Sequence, residues 1–274
     1  MEWFQAALDR YKQQQPQNRP VSKLHRNGSA RITPAHIVYT RTRSLHIPEA
    51  VLRERRIVAG FEGGRFVDAF KILRTQVTHR MREKAWNVIG VTSPGLGEGK
   101  TLTAVNLAIS LAMDVTQSVL LVDANLQDPR IHEVFDLGPS EGLANYLLDD
   151  TPLEDLLIHP GIGRFVLLPG GRAVPHSAEA LTSPRMIALV EELKHRYQSR
   201  IIMFDLPPLL NTSDVLAFSP YIDALLLVIE EGRTKGEDVE RALSLVKQST
   251  PVLGTVLNKA GRAGIGPAEM KKLL

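Results

Sequence analysis

The ten residues Thr92-Ser93-Pro94-Gly95-Leu96-Gly97-Glu98-Gly99-Lys100-Thr101 constrain the fold more than any other stretch of the chain. An apolar run, Asn87–Thr92, leads into them, and a helical pattern from about Lys100 to Met113 leads out. A strand, a glycine turn and a helix in this order form a cradle for phosphate. Gly95, Gly97 and Gly99 allow backbone N–H groups to turn inward, because no Cβ obstructs the torsions. The start of the helix adds a positive end. Lys100 can neutralise phosphate oxygens, and Thr101 offers a hydroxyl to a divalent cation. The strict spacing asks for Gly where this chain has Pro94.

Strand and helix patterns alternate around that loop. Ser118–Asp123, Arg164–Leu168, Arg200–Asp205, Ala224–Ile229 and Val252–Leu257 are apolar runs without alternation, the mark of strands covered on both faces. Helical spacing separates them at about Ser183–Arg196 and Gly236–Gln248. Phe66, Phe70, Leu73 and Val77 predict one apolar face on a helix that precedes the loop. Helices between buried strands imply an α/β fold with a mostly parallel sheet.

Two of the strands end in acid, Asp123 and Asp205. In a parallel sheet the carboxyl ends of neighbouring strands share a rim with the glycine loop. Both carboxylates are thereby expected to reach a Mg²⁺ beside Thr101. That cation takes oxygen ligands, retains water and needs only one or two carboxylates.

Composition narrows the field. The chain has 274 residues and no cysteine, which excludes disulfides, thiolate metal sites and cysteine nucleophiles. Residues 1–86 carry 17 Lys and Arg against 7 acids, and residues 87–274 carry 16 against 23. With Gln13–Gln17, Asn27-Gly28-Ser29 and scattered prolines, residues 1–60 read as a basic, largely disordered tail with short helical pieces at Trp3–Lys12 and Pro48–Arg56. Residues 61–274 read as the folded domain. Met1–Arg10 is too short and polar for a secretory signal, and no 18-residue apolar run predicts a membrane span. The eight histidines show no metal-like pairing.

Together these stretches resemble the bacterial tyrosine kinases of capsule and exopolysaccharide synthesis, a group of deviant phosphate-loop ATPases. Val91–Ser110, including Asn106-Leu107-Ala108, resembles the first motif of that family. Val119–Pro129 resembles the second, and Ile201–Pro208 the third. Leu168–Gly171, Ala178–Leu181, Asp214–Ala217 and Val256–Lys259 add to the likeness, which covers about residues 61–262. Leu52–Gly60 looks like a subgroup tied to exosortase-linked polysaccharide loci.

The resemblance implies a P-loop NTPase three-layer sandwich that binds ATP and Mg²⁺. It implies Gly95, Gly97, Glu98, Gly99, Lys100, Thr101 and Leu102 as nucleotide-binding residues, with Asn258 and Lys259 in the loop that meets the base. Thr101, Asp123 and Asp205 would hold the metal. Lys100, Asp123 and Asp205 would be catalytic, with Asp123 as base for a tyrosine hydroxyl. Family members carry Asp and Arg where this chain has Asn125 and Gln127, and a terminal tyrosine cluster where this chain has only Tyr11, Tyr39, Tyr146, Tyr197 and Tyr221, none near its end.

Asp68, Lys71 and Arg74 keep the charge signs and spacing that the family uses to join subunits into a ring. The implied partner is a membrane-bound polysaccharide co-polymerase, with a cytoplasmic location at the inner membrane. The basic tail suits an anionic leaflet. It lacks the aromatic platforms of nucleic-acid binders, so no nucleic acid is expected. The expected function is a protein-tyrosine kinase. A polysaccharide-regulating ATPase without kinase activity and a partition-type ATPase are the alternatives.

Overall fold

The computed structural model describes residues 42–61, 63–114, 117–196 and 200–260. Eight strands form one sheet: β1 (Arg43–Ser44), β2 (Val88–Thr92), β3 (Ser118–Asp123), β4 (Ile158–His159), β5 (Phe165–Leu168), β6 (Arg200–Asp205), β7 (Ala224–Glu230) and β8 (Val252–Asn258). Their order is β1-β4-β5-β3-β6-β2-β7-β8, and every pairing is parallel except β4 with β5. The chain leaves β2 towards β3 on one side and returns to β7 on the other. The glycine loop therefore sits where the winding reverses, the usual crevice for a ligand in an open parallel sheet.

The helices are α1 (Glu49–Glu54), α2 (Arg65–Lys84), α3 (Lys100–Ala112), α4 (Ile131–Val134), α5 (Leu143–Leu148), α6 (Leu153–Leu156), α7 (Ser177–Leu181), α8 (Pro184–Arg196), α9 (Asp214–Phe218) and α10 (Gly236–Val246). One apolar cluster joins α2 and α3 to one face of the sheet through Val77, Met81, Leu107 and Leu111. A second joins α8, α9 and α10 to the other face through Met186, Leu189, Phe218, Ala242 and Val246. Every residue of β2 and β3 is buried, which explains why neither strand alternates apolar with polar positions. Helix α3 is buried from Thr103 to Ala112, and Ala104, Ala108 and Ala112 let it lie close to its neighbours.

Two expectations change. The apolar face of α2 is Val67, Val77 and Met81 with half-buried Phe70 and Leu73, while Phe66 stands 60% exposed near the first turn. The expected division after residue 60 falls inside packed structure. Arg43 and Ser44 pair with β4, and Leu52, Ile57 and Ala59 are buried against the α2–α3 face. A buried polar anchor holds this segment. The Asn106 carboxamide accepts the N–H groups of Val58 (2.8 Å) and Ala59 (3.1 Å) and donates to the Arg56 and Leu102 carbonyls. Residues 1–41, which carry most of the expected basic tail, lie outside the described residues.

Candidate nucleotide site

Strand β2 delivers the loop, and α3 begins at Lys100. Gly97 (φ 77°) and Gly99 (φ 90°) occupy the left-handed region, which a side chain there would strain. Among the described residues, no protein acceptor takes the N–H groups of Leu96, Gly97, Glu98 or Gly99. Backbone donors left without a protein acceptor, at the N-terminus of a 13-residue helix, suit an anion. Ser93 Oγ donates to the Gly95 carbonyl at 2.7 Å. Glu98 is almost wholly buried and folds back, accepting the Gly95 N–H at 2.8 Å and the Thr234 hydroxyl at 2.5 Å.

The two acids meet as the topology requires. β3 and β6 are neighbours, and Asp123 stands in register with Asp205. The Thr101 hydroxyl donates to Asp205 Oδ2 at 2.6 Å, and the Lys100 ammonium lies 3.3 Å from the same hydroxyl. Asp123 Oδ2 accepts the N–H groups of Arg130 and Ile131, both at 2.9 Å. Burial, and next the charge of Asp205, push Asp123 up from 3.8 to about 7. Burial also raises Asp205, opposed by Lys100 and Thr101. Two adjacent carboxylates buried out of water call for positive charge beside them.

The donor set fits a small hard cation. Asp205 Oδ1 is buried with no protein partner, and Thr101 Oγ1 and Asp123 stand beside it as further oxygens. Among the described residues no group of three or more His, Asp or Glu could hold a metal, so two carboxylates and a hydroxyl are what the protein offers.

Other sequence candidates fall in unexpected places. The Asn258 amide donates to the Glu98 carbonyl at 2.9 Å, and the Lys259 ammonium donates to the Gly97 carbonyl at 3.0 Å. Both side chains thus touch the loop itself. Asn125 donates to the Asp128 carbonyl, and Gln127 donates to Asp214 at 3.2 Å. Arg74 turns inward to the Ser110 carbonyl at 2.9 Å, away from the exposed Asp68–Lys71 pair (3.5 Å). Leu102 supplies a carbonyl to Asn106. From the sequence Ser93 stood in the loop without an assigned role, and Glu230, Arg233 and Thr234 were missed. Glu230 ends β7 and Arg233 and Thr234 sit in the turn after it, and only the β7–β8 pairing beside β2 brings them to the loop.

Fold and rim define a phosphate-loop nucleotide-binding protein. The kinase domain of the Escherichia coli tyrosine kinase ETK is a structural neighbour with TM-score 0.66 and 26% identity, covering 83% of this chain and 91% of that one. The septum site-determining protein MinD from Pyrococcus horikoshii, solved with Mg-ADP, shares the fold at TM-score 0.56 and 23% identity over 69% of this chain and 77% of that one. No family profile matches the chain. Tyrosine-protein kinase YwqD of Bacillus subtilis is 30% identical over 192 residues, spanning 70% of this chain and 80% of that protein. Tyrosine-protein kinase CpsD of Streptococcus agalactiae is 29% identical over 196 residues, spanning 71% and 83%. The chain belongs to the bacterial tyrosine-protein kinases.

Proposed function

We propose that the chain is an ATP-dependent protein-tyrosine kinase that works in the cytoplasm beside a membrane-bound polysaccharide co-polymerase and regulates exopolysaccharide or capsule assembly. The observation that carries the reading is the shared rim: an open glycine loop, Lys100 and Thr101, and two buried carboxylates in register. No helix among the described residues is long and apolar enough to cross a membrane.

In this reading the N–H groups of Leu96–Gly99 and the Lys100 ammonium hold the polyphosphate of ATP. Thr101, Asp123 and Asp205 would hold Mg²⁺. The bound ion would offset charge on the phosphate oxygens. A new bond forms between the tyrosine oxygen and the γ-phosphorus, and the bond from that phosphorus to the bridging oxygen breaks, releasing ADP. Asp123 accepts the phenolic proton. Burial and Asp205 raise that carboxylate in the metal-free fold, and a bound cation would lower it again and keep it ionised, ready to accept the proton. Thr101 keeps Asp205 oriented, and both acids are buried.

For subunit assembly we infer that Asp68 and Lys71 face a neighbouring copy, while Arg74 serves the α2–α3 contact within the chain. The direct test is phosphotyrosine mass spectrometry on the purified chain, with and without Mg-ATP and the cytoplasmic segment of the polysaccharide partner. Mg-ATP-dependent phosphotyrosine that disappears in Lys100→Met supports the kinase. Nucleotide-dependent assembly without phosphotyrosine supports a purely regulatory ATPase.

A further inference from the structure

The outer wall of the loop carries its own network. The Lys259 ammonium donates to the Gly97 carbonyl at 3.0 Å and to Glu230 Oε2 at 2.8 Å. The Arg233 guanidinium reaches the same Glu230 oxygen at 3.2 Å. Arg233 also lies against the loop, since a Cβ placed on Gly97 would fall 3.1 Å from its Nη1. The Lys259 hydrogen bond is the foremost cause holding Glu230 below the usual carboxylate range, so it is an anion at neutral pH. Lys259 itself has φ 56°, an uncommon conformation for a residue with a side chain. That torsion falls directly after β8, where the chain turns towards the loop.

Peptide geometry gives these contacts a consequence. In a trans peptide the carbonyl of one residue and the N–H of the next point in opposite directions. Drawing the Gly97 carbonyl towards Lys259 therefore aims the Glu98 N–H away from Lys259. Drawing the Glu98 carbonyl towards Asn258 does the same for the Gly99 N–H. At the other end, Ser93 fixes the Gly95 carbonyl and so the Leu96 N–H. Glycine at 97 and 99 leaves these peptides free to flip, so side chains must hold them. We propose that Lys259 is a positioning residue for the phosphate loop, acting on the Gly97–Glu98 peptide and held to that role by Glu230.

The inference rests on the nucleotide reading above and replaces an expected contact between Lys259 and the base. Calorimetry separates the two roles, using Mg-ATP, Mg-ADP, AMP and Mg-GTP against wild type, Lys259→Met, Lys259→Arg and Glu230→Gln. Lys259→Met should weaken Mg-ATP and Mg-ADP about tenfold, the scale of one lost charge-assisted hydrogen bond. AMP affinity and the ATP-to-GTP preference should hold. Lys259→Arg should recover most of the loss, and Glu230→Gln should show a smaller loss with the same dependence on phosphate number. Equal weakening of AMP, or a collapsed preference between ATP and GTP, would restore the base contact and overturn the proposal. Unchanged Mg-ATP affinity in Lys259→Met would overturn it too. If that variant does not fold, a Glu230→Gln protein with wild-type affinities has the same force. Wild-type protein that binds no nucleotide would remove both this role and the function it serves.

Discussion

The two sides of the rim are built in opposite ways. On the β3–β6 side, Asp123 and Asp205 are buried, in register and raised by burial. On the β7–β8 side, the Lys259, Arg233 and Asn258 side chains reach the loop from exposed or half-buried positions. Charge withdrawn from water is strong, expensive and specific. Charge left in water is individually weak and acts by holding geometry. In the proposed function the buried side would serve the chemistry and the exposed side would shape the cradle.

Lys100→Met should be the severest test of that division. Its ammonium stands between the loop and the buried acids, so Mg-ATP affinity should fall about a hundredfold or more, the worth of two tenfold steps. An intact affinity would detach the acids from the loop. Asp205→Asn comes next. It should reduce Mg²⁺-dependent nucleotide affinity by roughly tenfold to a hundredfold. It should also leave the nucleotide-free protein no less stable in a thermal melt, because a buried charge is removed. A loss of both stability and affinity would make Asp205 a structural acid.

Asn258→Ala probes the exposed side. It leaves the Glu98 carbonyl without its side-chain donor and should cost about 1 kcal/mol of binding, roughly fivefold in affinity. Phosphate transfer per bound nucleotide should change little. A collapse in transfer rate with affinity intact would place chemistry on this side of the rim as well.

The smallest effect separates the sides by pH. Asp123 is raised in the fold above its ordinary 3.8, to about 7, so the folded chain binds more protons than the unfolded chain between those values. Its contribution to stability is complete below about pH 4 and is lost as pH rises through 7. Asp149 and Glu230 are lowered by Arg172 and Lys259, and theirs is lost only under acid conditions. Without nucleotide or Mg²⁺, the thermal midpoint should fall from about pH 5 to about pH 7 and level off above that. Asp123→Asn should flatten that slope, and a slope that survives the substitution would move its origin elsewhere.

The loop, the strand-end acids and the alternation of strand and helix were legible because each is local. Torsional freedom, helix ends and apolar runs are properties of neighbours in sequence. Asn106 read only as part of a motif, yet its carboxamide anchors residues 56–59 across almost fifty positions. The two-residue strands β1 and β4, at one end of the sheet, carry too few residues for a pattern. Phe66 matched the apolar spacing of α2 but lies on the exposed side of its first turn, where Val67 is the buried residue.

What the sequence determined by itself is the class of chemistry: a phosphate cradle with two acids at strand tips, on a parallel sheet. What only the tertiary structure decided is the strand order, and with it which side chains surround that cradle. Placing β7 and β8 beside β2 puts Glu230, Arg233, Asn258 and Lys259 on the outside of a loop more than 130 residues away in sequence. Strand pairing is long-range and set by the packing of whole layers, so no short stretch of sequence contains it.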